Sequence, residues 1–261
     1  MVKEVARAIR RGTLTRDGYA VAEGFRLVSE ALRSGCELGA ILVAQSVRKT
    51  LEERVPELRG GSLVIVADNV FRKIASTENP QGVMALVRPP MWVLGDLFAR
   101  RTPVIVLDGV QEPGNAGAVL RVAEAFGAGG CIFLKGTVDP YNPKAIRASA
   151  GSVFRLPLVV GIGVGELELA VKARSWPMFA AMPRDGVPLD GADLKGSFVL
   201  VLGSEAHGVS DELAQLATPL TIPTTEVESL NIAVAAGVIL YEAWRQRQRS
   251  GPKILAEHTR Q

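Results

Sequence analysis

Apolar positions in the first ninety residues fall into groups with two different periods. Leu27, Val28, Ala31 and Leu32 share one helical face and predict a helix over 25–33. LGAILVA (38–44), LVIV (63–66) and GVMALV (82–87) are unbroken apolar runs of strand length. Val47, Leu51, Val55 and Leu58 predict a helix over 47–58, and Asp68 is a candidate N-cap for a short helix reaching Ile74. These elements make a compact α/β unit.

The rest of the chain alternates more strongly. Strands are predicted at 104–107, 131–134, 156–160, 178–181, 198–202 and 220–222, with helices at 116–126, 166–174 and 211–216. Strand–helix alternation implies a mostly parallel sheet covered on both faces. A last helix, 230–247, begins apolar all round (Leu230, Ile232, Val234, Val238, Ile239, Leu240). Such a start must be buried, against the sheet or a second subunit. Its end carries Arg245, Arg247 and Arg249, cations suited to the negative end of a helix dipole. Between the halves, Pro89, Pro90 and Pro103 flank a charged stretch that reads as a linker with one short helix. The expected division is a domain over 1–90, a linker over 91–102 and a second domain over 103–261.

Composition narrows the function classes. No run of 18 apolar residues spans a membrane, and the start lacks the apolar block of a secretory signal and the serines of a transit peptide. Two cysteines (Cys36, Cys131) and two histidines (His207, His258) argue against a disulfide framework and against a metal site. A reducing, cytoplasmic compartment is expected. The net charge of +3 is uneven: residues 1–16 hold five bases (Lys3, Arg7, Arg10, Arg11, Arg16) and one acid, leaving the remainder at −1. A basic arm on a nearly neutral body suits phosphates, although a solvated terminus carries the same charge.

Four segments are candidates for holding a ligand. Gly161-Ile-Gly163-Val-Gly165 follows an apolar run, but the third glycine of a dinucleotide fingerprint is displaced by Glu166, which would repel a pyrophosphate. A nicotinamide-linked enzyme is therefore disfavoured. In LDGVQEPGNAG (107–117), Pro113 and Gly114 force a turn into a helix. Asn115 there can cap the helix or face a ligand, and Arg121 follows 1.7 turns on. In VLGSEAHGVS (201–210), Gly203 would let a ligand approach the backbone, and Glu205 lies at a strand's carboxyl end, where open α/β sheets bind ligands. His207 is a less favoured base. Before the last helix, Ser229 is a candidate N-cap and Asn231 a polar residue in an apolar start that needs a partner.

Three of these stretches together resemble the SPOUT superfamily of RNA methyltransferases, specifically the SpoU (TrmH-like) group of ribose 2′-O-methyltransferases. They are LDGVQEPGNAGAVLRVAEAFGA (107–128), LVLGSEAHGVSDEL (200–213) and IPTTEVESLNIAVAAGVILYEAWRQ (222–246), in order and at fitting spacing. EGFRLVSEAL (23–32) and STENPQGVMALV (76–87) resemble the RNA substrate-binding domain often fused to such enzymes. One departure is Thr224-Thr225-Glu226, where the family usually has a methionine and a glycine in a loop one residue longer.

The resemblance implies a small N-terminal α/β RNA-binding domain and a C-terminal parallel-sheet domain with a trefoil knot, an arrangement patterning alone would not suggest. It implies S-adenosylmethionine as cofactor, held near Ala181, Gly203, Ile222 and Leu230. It implies a homodimer, with the site built across the interface from Asn115, Arg121, Glu205, Ser229 and Asn231. The family suggests Arg121 as base, yet a guanidinium does not normally lose its proton, so stabilising an alkoxide and clamping a phosphate is the preferred role. Arg10, Arg11, Arg16, Arg72 and Lys73 are the expected phosphate contacts. Ribosomal RNA is favoured over transfer RNA because of the extra N-terminal domain. The alternatives are a transfer RNA 2′-O-methyltransferase and a non-catalytic RNA-binding assembly factor.

Overall fold

A computed structural model describes residues 1–55 and 63–250. Leu58 of the expected helix and His258 lie outside the described residues.

The N-terminal half opens with a helix the apolar groups did not predict, α1 (Val2–Arg11). The basic arm is this helix: Val5 and Ala8 are buried while the charged residues ring the other side. Then come β1 (Ala20–Glu23), α2 (Phe25–Arg33), β2 (Glu37–Ala44), α3 (Arg48–Arg54), β3 (Leu63–Val66), α4 (Asp68–Ile74) and β4 (Val83–Arg88). The sheet order is β1-β4-β2-β3, antiparallel except for β2 with β3. Its strands read as unbroken apolar runs because both faces are covered. Val21, Leu42, Met84 and Leu86 meet α1 and α4 through Val5, Ala8, Phe71 and Ile74. Ala20, Ala22, Ile41, Val43, Val83 and Ala85 point the other way, following the period of two. Asp68 begins α4 rather than capping it; its carboxylate accepts from Ser46 Oγ (2.7 Å) and backbone N (3.2 Å).

The expected linker is packed into the core: α5 (Leu94–Ala99) buries Leu97 and Phe98. The C-terminal half continues with β5 (Val104–Asp108), α6 (Pro113–Ala125), β6 (Gly130–Leu134), α7 (Pro143–Ser149), β7 (Leu158–Ile162), α8 (Val164–Lys172), β8 (Met178–Ala181), β9 (Val187–Pro188), β10 (Val199–Gly203), α9 (Asp211–Ala214), β11 (Thr218–Thr221) and α10 (Ile232–Ser250). Seven strands pair in the order β7-β6-β5-β10-β8-β11-β9, and every pairing is parallel. One face (Ile105, Leu107, Phe133, Leu200, Leu202) is covered by α6, α7 and α10. The other (Val104, Val106, Ile132, Val199, Val201) lies under α5, α8 and α9, through Leu97, Leu167 and Leu213. From β5 the chain steps outward to β6 and β7, then returns to build the opposite wing, so β5 and β10 flank the switch point where open α/β sheets bind ligands.

The halves share one apolar cluster: Ala20, Phe25 and Val28 belong to the same contiguous core as Ile146, Val153 and Phe154. Polar contacts reinforce it. The Arg155 guanidinium donates to Glu124 (2.6 and 2.9 Å) and to Glu30 of α2 (2.6 Å). Arg147 of α7 donates to Ser76 Oγ (2.5 Å), which in turn donates to buried Glu23 (2.5 Å). No described helix is long and apolar enough to cross a membrane, and no described cluster of His, Cys, Asp or Glu could hold a metal ion.

Candidate active site

Helix α6 starts two residues earlier than Asn115. Glu112 is its N-cap, accepting from the Gly114 N–H, and Pro113 takes the first helical position, where no N–H is needed. Asn115 is thereby freed from capping. Its Nδ2 donates to Glu205 Oε1 (2.7 Å) and its Oδ1 accepts from Asn231 Nδ2 (2.9 Å). Asn231, not Ser229, caps α10: its Oδ1 accepts from the N–H groups of Ala233 (2.9 Å) and Val234 (3.4 Å). The expected buried amide is in fact exposed, and its partners are α10 and Asn115. The start of α10 is thus tied through two amides to the end of β10.

Glu205 also accepts from the Gln111 N–H (3.4 Å). Desolvation works to raise its pKa, but hydrogen bonds from Asn115 and from nearby backbone N–H groups outweigh it and hold the carboxyl below its usual range. Gln111 latches the loop after β5, its Nε2 donating to the Gly109 (3.0 Å) and Gly136 (2.5 Å) carbonyls. Asp108 holds the loop after β10 by accepting from the Ser210 N–H (2.7 Å).

This triad stands at the rim of a cavity of about 400 Å³ formed by the carboxyl ends of β8, β10 and β11 and the start of α10. Ala181, Gly203, Ile222 and Leu230, the four expected cofactor contacts, all line it, together with Glu205, Ser229 and Asn231. Gly203 is also required by the chain itself. A Cβ there would collide with the backbone of Gly208 and Val209, so the glycine admits the chain's own returning loop, bridged through Ser204 and Gly208. Thr224, in the loop that departs from the family pattern, lines the cavity too, with Met182 and Glu228, which are not among the expected contacts. Arg184 pairs with Glu228 (3.0 Å) beside it; the signal available was the position of Met182-Pro183-Arg184 just past a strand's carboxyl end.

Arg121 is not brought to the cavity. It lies six residues past Asn115 on α6, about 9 Å further along the axis, exposed and without a polar partner among the described residues. The basic residues divide. Arg10 and Arg11 end α1, Arg72 and Lys73 end α4, and all four are exposed on two helices packed together. Arg16 is held by Glu4, which accepts from its backbone N–H at 2.9 Å. His207 is exposed and is not among the residues lining the cavity. The Gly161–Gly165 stretch carries a β-irregularity and the N-cap of α8, at the far edge of the sheet.

Comparison with known proteins identifies the family. The SpoU rRNA Methylase family model matches residues 102–241, and the MRM3-like substrate binding domain matches residues 1–85. A Bacillus subtilis protein, 23S rRNA (guanosine(2553)-2′-O)-methyltransferase RlmP, is 31% identical over 87% of this chain and 89% of its own length. The 23S rRNA (uridine(2479)-2′-O)-methyltransferase of Streptomyces viridochromogenes is 32% identical over 91% of this chain and 86% of its own. The crystal structure of the SpoU methyltransferase AviRb from that organism, in complex with AdoMet, superposes with a TM-score of 0.86 at 29% identity, covering 96% of this chain and 98% of that one. This chain belongs to the SpoU rRNA methylase family.

Proposed function

We propose that this protein methylates the 2′-hydroxyl of a ribose in RNA, with ribosomal RNA as substrate and S-adenosylmethionine as donor. The observation that carries the reading is the Asn115–Glu205–Asn231 triad on the rim of the cavity. The cavity fits the donor. Its volume is within the usual range for small-molecule sites. Leu202, Leu220, Ile222 and Ile239 offer apolar surface for a base, and among the described residues no backbone N–H between Thr224 and Leu230 is bonded within the protein. S-adenosylmethionine supplies a methyl group already activated by its sulfonium. Ala181, Ile222 and Leu230 would hold it, while Ser229 and Asn231 shape the mouth. The loop at Thr224–Glu226, where the chain departs from the family pattern, borders the same cavity.

Arg121 is proposed to meet the reacting ribose from a second copy of the chain. Val234, Val238, Tyr241 and Trp244 form one stripe on α10, each 37–51% exposed. That stripe lies beside α6, with Tyr241 against Phe126. A homodimer sealing it brings Arg121 of one subunit towards the cavity of the other. There the guanidinium, remaining protonated, stabilises the developing alkoxide and clamps the neighbouring phosphate. Residues 103–261 are the proposed methyltransferase domain, and the strand order is compatible with trefoil threading of its end. Residues 1–90 would dock the RNA through Arg10, Arg11, Arg72 and Lys73, with Arg16 in a lesser role.

Arg121→Lys tests the chemistry. Methyl transfer to ribosomal RNA should fall at least about tenfold, roughly 1.4 kcal/mol of transition-state stabilisation, with donor affinity unchanged by calorimetry. Full activity would sink the role of the forked guanidinium. Val238→Asp tests the assembly: light scattering should report a monomer, and an intact active dimer would exclude this interface.

A further inference from the structure

A second groove opens at the opposite end of the catalytic sheet. It is lined by Phe98, Arg101, Arg174, Ser175, Trp176 and Ser197, has a volume of about 660 Å³ and, among the described residues, has no carboxylate in its wall. Its residues precede β5, β8 and β10, whereas the cavity lies past the ends of β8 and β10. A strand of five residues separates the two, about 17 Å.

The wall combines cations and rings. The Arg174 guanidinium stacks over Phe98 at 4.5 Å, anchored by one bond to the Ala170 carbonyl (2.9 Å). Phe98 meets Trp176 edge to face at 5.0 Å, leaving Trp176 half-buried at the surface of the groove. Arg101 is exposed with no acidic partner among the described residues, and it occupies left-handed backbone (φ 50°). Ser175, also in the lining, does the same (φ 52°). Nothing proposed for methyl transfer uses any of these groups.

From this we infer that the groove binds an unpaired nucleotide of the RNA substrate, its phosphate on Arg101 and Arg174 and its base against Trp176. The inference rests on RNA being the substrate. Guanidinium groups with an adjoining aromatic ring suit a polyanion whose bases have faces to stack. An unpaired nucleotide fits better than a duplex, because only a base outside a helix can leave its neighbours to reach an indole.

The test uses the full-length protein and a uridine dodecamer carrying one 4-thiouridine. Illumination followed by peptide mapping should place adducts on peptides containing Arg101 or Trp176. Arg101→Gln should weaken binding about fivefold at 0.1 M salt and flatten the log–log salt dependence by about 0.7, the value for one phosphate contact to a single strand. S-adenosylmethionine affinity should be unchanged. Adducts confined to other surfaces, or a variant with the parent's affinity and salt slope, would overturn the proposal. Methylation of ribosomal RNA by the parent is measured alongside. Failure there removes the catalytic reading, whereas success with an unaffected Arg101→Gln removes only the groove.

Discussion

Replacing Asn231 separates two tasks that one side chain performs. Its Oδ1 caps α10, while its Nδ2 donates to Asn115, which in turn donates to Glu205. Asn231→Ala deletes both. A lost N-cap costs about 1 kcal/mol and the missing hydrogen bond about 1 more. For a chain of this size that sum lowers Tm by roughly 4–8 °C. Asn231→Asp keeps an oxygen for the cap and adds a favourable negative charge at the helix start. It cannot donate, however. The Asn115 amide would then lie between two carboxylates with a single NH₂ group, and satisfying one turns its carbonyl oxygen towards the other. Stability should therefore stay within about 1 kcal/mol of the parent, since the retained cap offsets the lost bond. Methyl transfer should nevertheless fall at least about tenfold, roughly 1.4 kcal/mol. Differential scanning calorimetry and single-turnover transfer from radiolabelled donor read the two effects separately. Parent-like turnover in Asn231→Asp would refute the coupling of cap to carboxylate. An unchanged Tm in Asn231→Ala would refute the capping argument itself.

Two further outcomes follow from the geometry. Gly203→Ala places a methyl group against the backbone of Gly208 and Val209, so we expect about 1–3 kcal/mol of destabilisation and a sharp loss of donor affinity, read by thermal shift with and without S-adenosylmethionine. A variant as stable as the parent would show that the loop yields freely. Glu242 accepts from Arg245 (2.6 Å) and Gln246 (2.9 Å), which hold its pKa down at about 2. A depressed folded-state pKa stabilises the protein above the ordinary glutamate range, and that contribution drains away as pH falls from about 4.5 towards 2. Glu242→Gln should flatten the acid limb of Tm against pH, and an unaltered limb would count against the pair.

The strands of the C-terminal sheet were legible because burial on both faces demands unbroken apolar runs. β8 coincides with its predicted span, and β5, β6 and β10 differ from theirs by one residue at one or both ends. The strand β7 sits two residues later than expected, because Pro157 supplies only its carbonyl, to the Cys131 N–H. Helix α1 is masked by its own charges: Val2, Val5, Ala6 and Ile9 form a helical stripe, but four bases stand between and beside them. Helix α7 has a local signal of its own, with Asn142 as a cap and Pro143 in the first turn, but too few apolar positions to show a helical period. Within the site, Asn115, Glu205 and Asn231 were identified as residues but not as a bonded chain, since spacing along a sequence cannot place three loops at one sheet edge. Ser229 and Asn231 are both competent caps. Only the path of the chain out of the cavity decides for Asn231.

The one apolar cluster shared by both halves gives the molecule the character of a caliper. Phe25 and Val28 pack in one cluster with Ile146 and Phe154, and Arg155 grips Glu30 and Glu124 at once. The jaws, the basic ends of α1 and α4 on one side and the mouth of the cavity on the other, are therefore set at one separation. On the proposed reading, an RNA seated on the first jaw offers the second only the ribose that its own fold holds at that span. Selection of the target would then be a measurement of distance, made by the tertiary shape of the RNA, with the letters around the target nucleotide largely unread.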